Sequence, residues 1–325
     1  MKKNILVIHT GGTISMYEDG ETGAVKPGEE NPLSAQTKGL SNLANLIVKE
    51  PFNLPSPHIT MTEMLKLKEL IINETKENTI DGVVITHGTD TLEETAYFLD
   101  LTTGLELPIV VTGAMRSSNE IGSDGLYNLI TSIRVAACEE AKGKGVLVVL
   151  NDEIHTAKNV TKTHTSNLST FQSPQFGPIG IISKPGIFFH NAPTHKEYYP
   201  IDSITKNVAL LKAHAGMDSL LFKAILDLNY DGLVIEALGQ GNLPPATVEG
   251  IKLLIEANIP TIIVSRCFNG IAQDIYGYEG GGKQLKELGA IFSNGLNGQK
   301  ARIKLLIALS QTNNMKEIEE MFHNI

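Results

Sequence analysis

Short β-branched runs that are apolar on both faces recur along the chain, and amphipathic segments lie between them. The runs are Ile5–Ile8, Val83–Thr86, Ile109–Thr112, Val146–Leu150, Leu233–Ala237 and Thr261–Ser265. A strand with no polar face must be covered on both sides, which is the condition inside a parallel sheet. Leu126, Leu129, Ile130, Ile133 and Ala137 follow helical spacing, and so do Leu220, Leu221, Ala224, Ile225 and Leu228. Strands alternating with such helices predict an α/β fold.

A chain of 325 residues is long enough for two domains. Between about 184 and 207 the periodicity fails, and Pro185, Pro193, Pro200 and the pair Tyr198-Tyr199 appear instead. The expected division is a larger N-terminal α/β domain over 1–185, a linker over 186–207 and a smaller C-terminal domain over 208–325. The first should hold a mainly parallel open sheet with flanking helices, and the second a parallel sheet. The stretch Ser15–Asn31 is rich in Gly, Glu and Asp and too long for a tight turn, so it is expected to be a lid.

Composition then narrows the function. Apolar residues make up 42% and charged residues 19%, as in an ordinary globular protein. The net charge of −9 repels phosphate backbones and anionic lipid, which argues against nucleic-acid and membrane partners. Only four apolar residues, Ile5–Ile8, precede His9-Thr10, too few for the core of a signal peptide. Cys138 and Cys267 are too few for a disulfide framework. The expected location is the cytoplasm. No spacing of His, Cys, Asp or Glu suggests a metal, and no cofactor is expected. His155 and His164 are expected to be ordinary polar residues, and Asp152 and Glu153 to end a strand.

Two hydroxyl-rich clusters follow strands directly: Thr10-Gly11-Gly12-Thr13 and His87-Gly88-Thr89-Asp90-Thr91. Ligands of open α/β sheets sit beyond such carboxyl ends. Glycine lets backbone N–H groups approach an oxyanion, and a threonine hydroxyl is a nucleophile once a base takes its proton. A structural reading stays open beside this one. Asp90 with Glu93, and Thr91 with Glu94, also fit helix-capping patterns. Lys162 in Val160-Thr161-Lys162-Thr163 is a candidate base, although spacing alone does not carry it to Thr89. Two rival motifs fail. Gly277–Gln284 nearly spells a phosphate loop but has Gln284 where a hydroxyl is needed. Gly239-Gln240-Gly241-Asn242-Leu243-Pro244 starts like a dinucleotide fingerprint but has Pro244 at the third glycine.

The chain resembles the bacterial-type L-asparaginases. Thr10–Ile14 and His87–Ala96 look like that family's two signatures. Thr112–Arg116, Ser123–Gly125 with Asn128, His155-Thr156, Val160–Thr163, Gly239–Asn242 and Leu296–Arg302 extend the likeness over nearly the whole chain. The resemblance implies hydrolysis of L-asparagine to aspartate and ammonia through a threonine acyl-enzyme, with weaker action on glutamine allowed. It implies Thr13 as primary nucleophile, with Thr89, Asp90 and Lys162 as an activating cluster. Asp90 would take the substrate's α-amino group and Ser56 its α-carboxylate. Gly12, Gly88, Thr89 and Ala114 would line the amide, and Asn242 would come from a neighbouring subunit of a homodimer or homotetramer with sites at its interfaces. Three positions depart from the pattern. Val25-Lys26 stands where a lid tyrosine is usual, with Tyr17 nearby. Ser56 is followed by Pro57 rather than Gln. Glu279 is a candidate only for the usual partner-subunit glutamate. Two alternatives share the fold: a non-catalytic amino-acid-binding protein, and the amidase subunit of a tRNA-dependent amidotransferase.

Overall fold

The computed structural model describes residues 2–27, 32–33 and 39–323. The chain forms two compact units, 1–200 and 201–325.

In the first unit the elements run β1 (Asn4–His9), β2 (Met16–Glu18), β3 (Val25–Pro27), β4 (Asn45–Lys49), α1 (Met61–Glu77), β5 (Gly82–Thr86), α2 (Leu92–Thr102), β6 (Ile109–Thr112) and α3 (Gly125–Ala136). Then come β7 (Val146–Leu150), β8 (Glu153–Thr156), β9 (Thr161–Lys162), β10 (Phe171–Gln172), β11 (Gly180–Ile182) and β12 (Ile187–Phe189). Eight strands make one sheet in the order β12-β11-β8-β7-β6-β5-β1-β4. The β7-β6-β5-β1-β4 portion is parallel, and β8, β11 and β12 extend it antiparallel. Val7, Val84, Val110 and Leu147 join Leu129 and Ile133 of α3 in one apolar core. Their strand neighbours Leu6, Val83, Ile85 and Val111 are equally buried, which explains why the runs lack a polar face. Each such side chain contributes about 1.5–3 kcal/mol by leaving water.

Two expectations need correction, the linker and the strand end at Asp152-Glu153. The stretch 186–207 is not simply a linker. Pro185 lies in a tight turn in which Ser183 N–H donates to Gly186 O, and β12 follows as the edge of the main sheet. Further on, Tyr199 N–H donates to Leu101 O at the end of α2. Asp152 lies in the β7–β8 turn with Asn151, both at positive φ (63° and 50°), while Glu153 opens β8. The helix from Gly125 stops at Ala136, and only a short 3-10 turn covers Glu139–Ala141. The Ser15–Asn31 segment lies partly outside the described residues. Its described part is the β2–β3 hairpin.

The second unit runs β13 (Val208–Lys212), α4 (Leu220–Asp227), β14 (Gly232–Ala237), α5 (Val248–Glu256), β15 (Thr261–Ser265), α6 (Gly282–Leu288), β16 (Ile291–Phe292), α7 (Gly298–Gln311) and α8 (Met315–His323). Its four strands are parallel in the order β13-β14-β15-β16. Helix α4 forms where expected but buries Phe222 and Ile225, leaving Leu220, Leu221 and Leu228 exposed. No helix among the described residues is long and apolar enough to cross a membrane.

Candidate active site

Sheet register sets the floor of the site. His9 of β1 pairs with Thr86 of β5, and Thr86 pairs with Thr112 of β6, so three adjacent parallel strands end level. The ladder runs one step further, with Thr10 N–H donating to Thr86 O and His87 N–H to Thr112 O. The chain therefore leaves all three strands at one edge, carrying Gly12-Thr13, Gly88-Thr89-Asp90 and Gly113-Ala114.

The first two exits touch. A Cβ added to Gly12 would lie 2.1 Å from Gly88 Cα and 2.3 Å from Gly88 N. Gly12 also has φ +80° and ψ −179°, a conformation essentially confined to glycine. The two backbone passes meet at Gly12 and Gly88, each one residue before a threonine, Thr13 and Thr89. Ser56 closes a third side. Leu54 N–H donates to Thr10 O, which draws the 54–58 segment across. Ser56 Oγ then accepts from Asp90 N–H at 3.1 Å, and Ser56 O accepts from Thr91 Oγ1 at 2.8 Å. The Ser56 hydroxyl keeps its own proton to donate.

Those bonds bear on both readings of His87–Glu94. Thr91 is the N-cap residue of α2, yet its side chain makes no capping bond and serves Ser56 instead. Glu93 faces β9 rather than the N-cap: its Oε1 accepts from Thr161 Oγ1 at 3.1 Å.

Lys162 reaches the cluster. Its Nζ lies 3.0 Å from Thr89 Oγ1 and 2.7 Å from Asp90 Oδ1. The Thr89 side chain is buried and Asp90 is exposed, so the lysine bridges a buried hydroxyl and an open carboxylate. Such a group can exchange a proton with the hydroxyl while the carboxylate balances its charge. Beneath this layer His87 is fully buried. Its Nδ1 contacts Gly88 O at 2.8 Å and its Nε2 contacts Thr95 Oγ1 at 2.9 Å. Burial lowers His87 to about 4, against the weaker pull of the Gly88 carbonyl. Beside it, Asp124 holds the exit from β6. It accepts from Met115 N–H and Arg116 N–H, while Asn128 Nδ2 donates to both Asp124 Oδ2 and Gly113 O.

Gly12, Thr13, Ser56, Gly88, Thr89, Asp90, Ala114 and Lys162 thus all belong to the first unit. Asn242 and Glu279 belong to the second. There Asn242 Oδ1 accepts from Gly282 N–H, and Leu243 N–H donates to Gly280 O, so the two segments are neighbours. Tyr17 stands directly across the β2–β3 ladder from Lys26. His155 is buried against Ser173 Oγ, and His164 Nδ1 accepts two backbone N–H bonds. Among the described residues no group of His, Cys, Asp and Glu is arranged to hold a metal ion. The supporting roles of His87, Thr91, Glu93, Asp124 and Asn128 were not assigned from sequence. A buried partner has no spacing signature of its own, although Asp124 just before a helical glycine was a visible hint.

Known proteins carry the same arrangement of domains. The family described as "Asparaginase, N-terminal" matches residues 4–195, and "Glutaminase/Asparaginase C-terminal domain" matches residues 207–322. A probable L-asparaginase of Deinococcus radiodurans is 39% identical, over 98% of this chain and 96% of its own length. L-asparaginase 2 of Bacillus subtilis is 35% identical, over 98% of this chain and 86% of its own. The crystal structure of a probable cytoplasmic L-asparaginase from Campylobacter jejuni superposes with a TM-score of 0.88 at 32% identity and covers both chains fully. With both domains matched in order and relatives this similar from end to end, the chain belongs to the asparaginase family.

Proposed function

We propose that this protein hydrolyses L-asparagine to L-aspartate and ammonia by double displacement through a threonine acyl-enzyme. The observation that carries the reading is the bridge from Lys162 Nζ to Thr89 Oγ1 and Asp90 Oδ1, set where Gly12 and Gly88 touch.

In the first step Thr13 Oγ1 attacks the side-chain amide carbon. The backbone N–H of Thr89 and a water near Ala114 stabilise the oxyanion. The proton released by Thr13 travels through the Thr89–Lys162 pair to the departing nitrogen, and ammonia leaves an ester on Thr13. In the second step a water attacks that ester. Its proton returns through the same pair to Thr13, and aspartate is released. Asp90 opposes the substrate's α-ammonium, and the Ser56 hydroxyl donates to its α-carboxylate. Asn242 reaches the site of a neighbouring subunit in a homodimer or homotetramer. The cytoplasm is the proposed location, in line with the Campylobacter protein, a probable cytoplasmic L-asparaginase.

Ammonia release from asparagine and glutamine by the purified protein tests the activity, and silence with both substrates overturns it. Thr13→Ala, Thr89→Val and Lys162→Met should each lower kcat by roughly 100-fold or more with the fold intact. Near-normal turnover in any one of them removes that residue from the mechanism.

A further inference from the structure

Lys162 is useful only if its ammonium lies at Thr89, so what fixes the strand that carries it matters. β9 is two residues long and, among the described residues, pairs with the two-residue β10, Phe171 opposite Lys162 and Gln172 opposite Thr161. A two-stranded ribbon of that size is not stable by itself. Backbone bonds of Val160 N–H to Thr156 O and of Thr163 N–H to Thr170 O flank it, and one contact comes from helix α2.

Glu93 lies on the first turn of α2 and is only 4% exposed. Its Oε1 accepts from Thr161 Oγ1 at 3.1 Å and lies 3.4 Å from Lys162 N, so both residues of β9 aim a donor at one oxygen. A carboxylate near the N-terminus of a helix needs no burial to favour the helix dipole. Burying it is costly unless hydrogen bonds repay the lost water. Turning it inward onto β9 therefore serves the strand rather than the helix. The position matters as well. Thr89, Asp90 and Glu93 sit on one short connection, so the same piece of chain grips Lys162 twice: at its Nζ by Thr89 and Asp90, and at its backbone by Glu93.

We propose that Glu93 is a positioning residue, a buried acceptor that holds β9 so that Lys162 Nζ meets Thr89. The proposal rests on the role given to Lys162 above. Glu93 touches neither substrate nor reacting atoms. Its effect is to pass through Lys162.

A double-mutant cycle tests this. Glu93→Ala should lower kcat for asparagine by roughly ten- to a hundredfold, with KM changed by no more than about threefold. Glu93→Gln keeps an Oε1 acceptor in place and should recover most of kcat. In a Lys162→Met background, Glu93→Ala should add less than about a twofold further loss, because the group it positions is gone. Thr161→Val, a near-isosteric change on the other side of the contact, gives the same comparison if Glu93→Ala does not fold. It should lower kcat alone and add nothing to Lys162→Met. Parental kcat in both Glu93→Ala and Thr161→Val overturns the proposal. So do losses that multiply with that of Lys162→Met, or a Glu93→Gln protein as impaired as Glu93→Ala. If Lys162→Met itself retains full kcat, the failure lies with the role of Lys162. If Lys162→Met is impaired and the losses multiply, only the positioning role falls.

Discussion

Two imidazoles lie at the strand ends below the threonines, His9 closing β1 and His87 following β5. Burial pulls each of them from its ordinary value of 6.5 down to about 4. Glu50 pulls His9 weakly upward, and the Gly88 carbonyl does the same for His87. His87 is the better probe because its bonds fix its proton. Gly88 O can only accept, so Nδ1 carries the hydrogen and Nε2 accepts from Thr95 Oγ1. Because the folded value lies below the unfolded one, the unfolded chain binds more protons between about pH 6.5 and 4. The contribution of His87 to stability is complete above the unfolded value, declines as pH falls through that window, and levels off below the folded value. Between about pH 7.5 and 4.5 the loss is about 2–3 kcal/mol, a large share of the 5–15 kcal/mol typical of a folded protein. Asp100 works in the opposite sense. Burial raises its carboxyl to about 6 against the Val146 N–H bond, so acidification through that range favours the fold. Only a comparison of variants isolates one group. Urea unfolding of the parent and of His87→Asn at about pH 7.5 and 4.5 makes that comparison, since Asn keeps a donor near the Nδ1 position and does not titrate. His87→Asn should be less stable at the higher pH by about 1–3 kcal/mol for the lost Thr95 partner. It should then lose about 2–3 kcal/mol less than the parent on acidification. Equal losses in the two proteins refute the reasoning.

Other consequences concern the backbone around the site. Gly12→Ala puts a methyl 2.1 Å from Gly88 Cα at φ +80°. Strain and overpacking together should cost about 2–6 kcal/mol, and a parental melting temperature with parental kcat contradicts the contact. Asp124→Ala removes the acceptor of Met115 N–H and Arg116 N–H. It should lower kcat/KM by roughly tenfold or more as Ala114 shifts, and unchanged steady-state kinetics disprove that role. Asn119 exchanges two bonds with the backbone of Glu18, and Ser118 makes two more with Met16 O. Asn119→Ala should speed proteolytic cleavage within Met16–Pro27 by roughly three- to tenfold, the equivalent of about one hydrogen bond, and an unchanged cleavage rate shows that the hairpin is held elsewhere.

The legible parts of the fold were those buried on both faces. Val83–Thr86 and Val146–Leu150 read as strands because every residue in them is apolar or small. β4 and β13 are harder to read because they are partly exposed edge strands, and Asn45–Lys49 or Val208–Lys212 alone resembles many surface segments. β12 is masked by Pro185, a turn signal that in sequence also fits the edge of a domain. The site was half legible. Both threonine clusters announce themselves by following strands directly. The meeting of Lys162 with Thr89 does not, because it depends on contacts between segments far apart in the chain. Thr91 and Glu93 are ambiguous for a more specific reason: Asp90 with Glu93 and Thr91 with Glu94 each fit a helix-start pattern, while the side chains of Thr91 and Glu93 are engaged with Ser56 and Thr161.

The level ending of β1, β5 and β6 also bears on the order in which the protein becomes active during synthesis. β1 leaves the ribosome first, but its parallel partners β4 and β5 come later, and Lys162 follows Thr13 by about 150 residues. At bacterial elongation rates that interval is about 7–30 s. Throughout it the nascent chain carries Thr13 and then Thr89 as unactivated hydroxyls. On the proposed mechanism, Lys162 can meet Thr89 only once β9 and its mate β10 have emerged and docked. A chain stalled before residue 161 therefore lacks that bridge however well its first strands have paired.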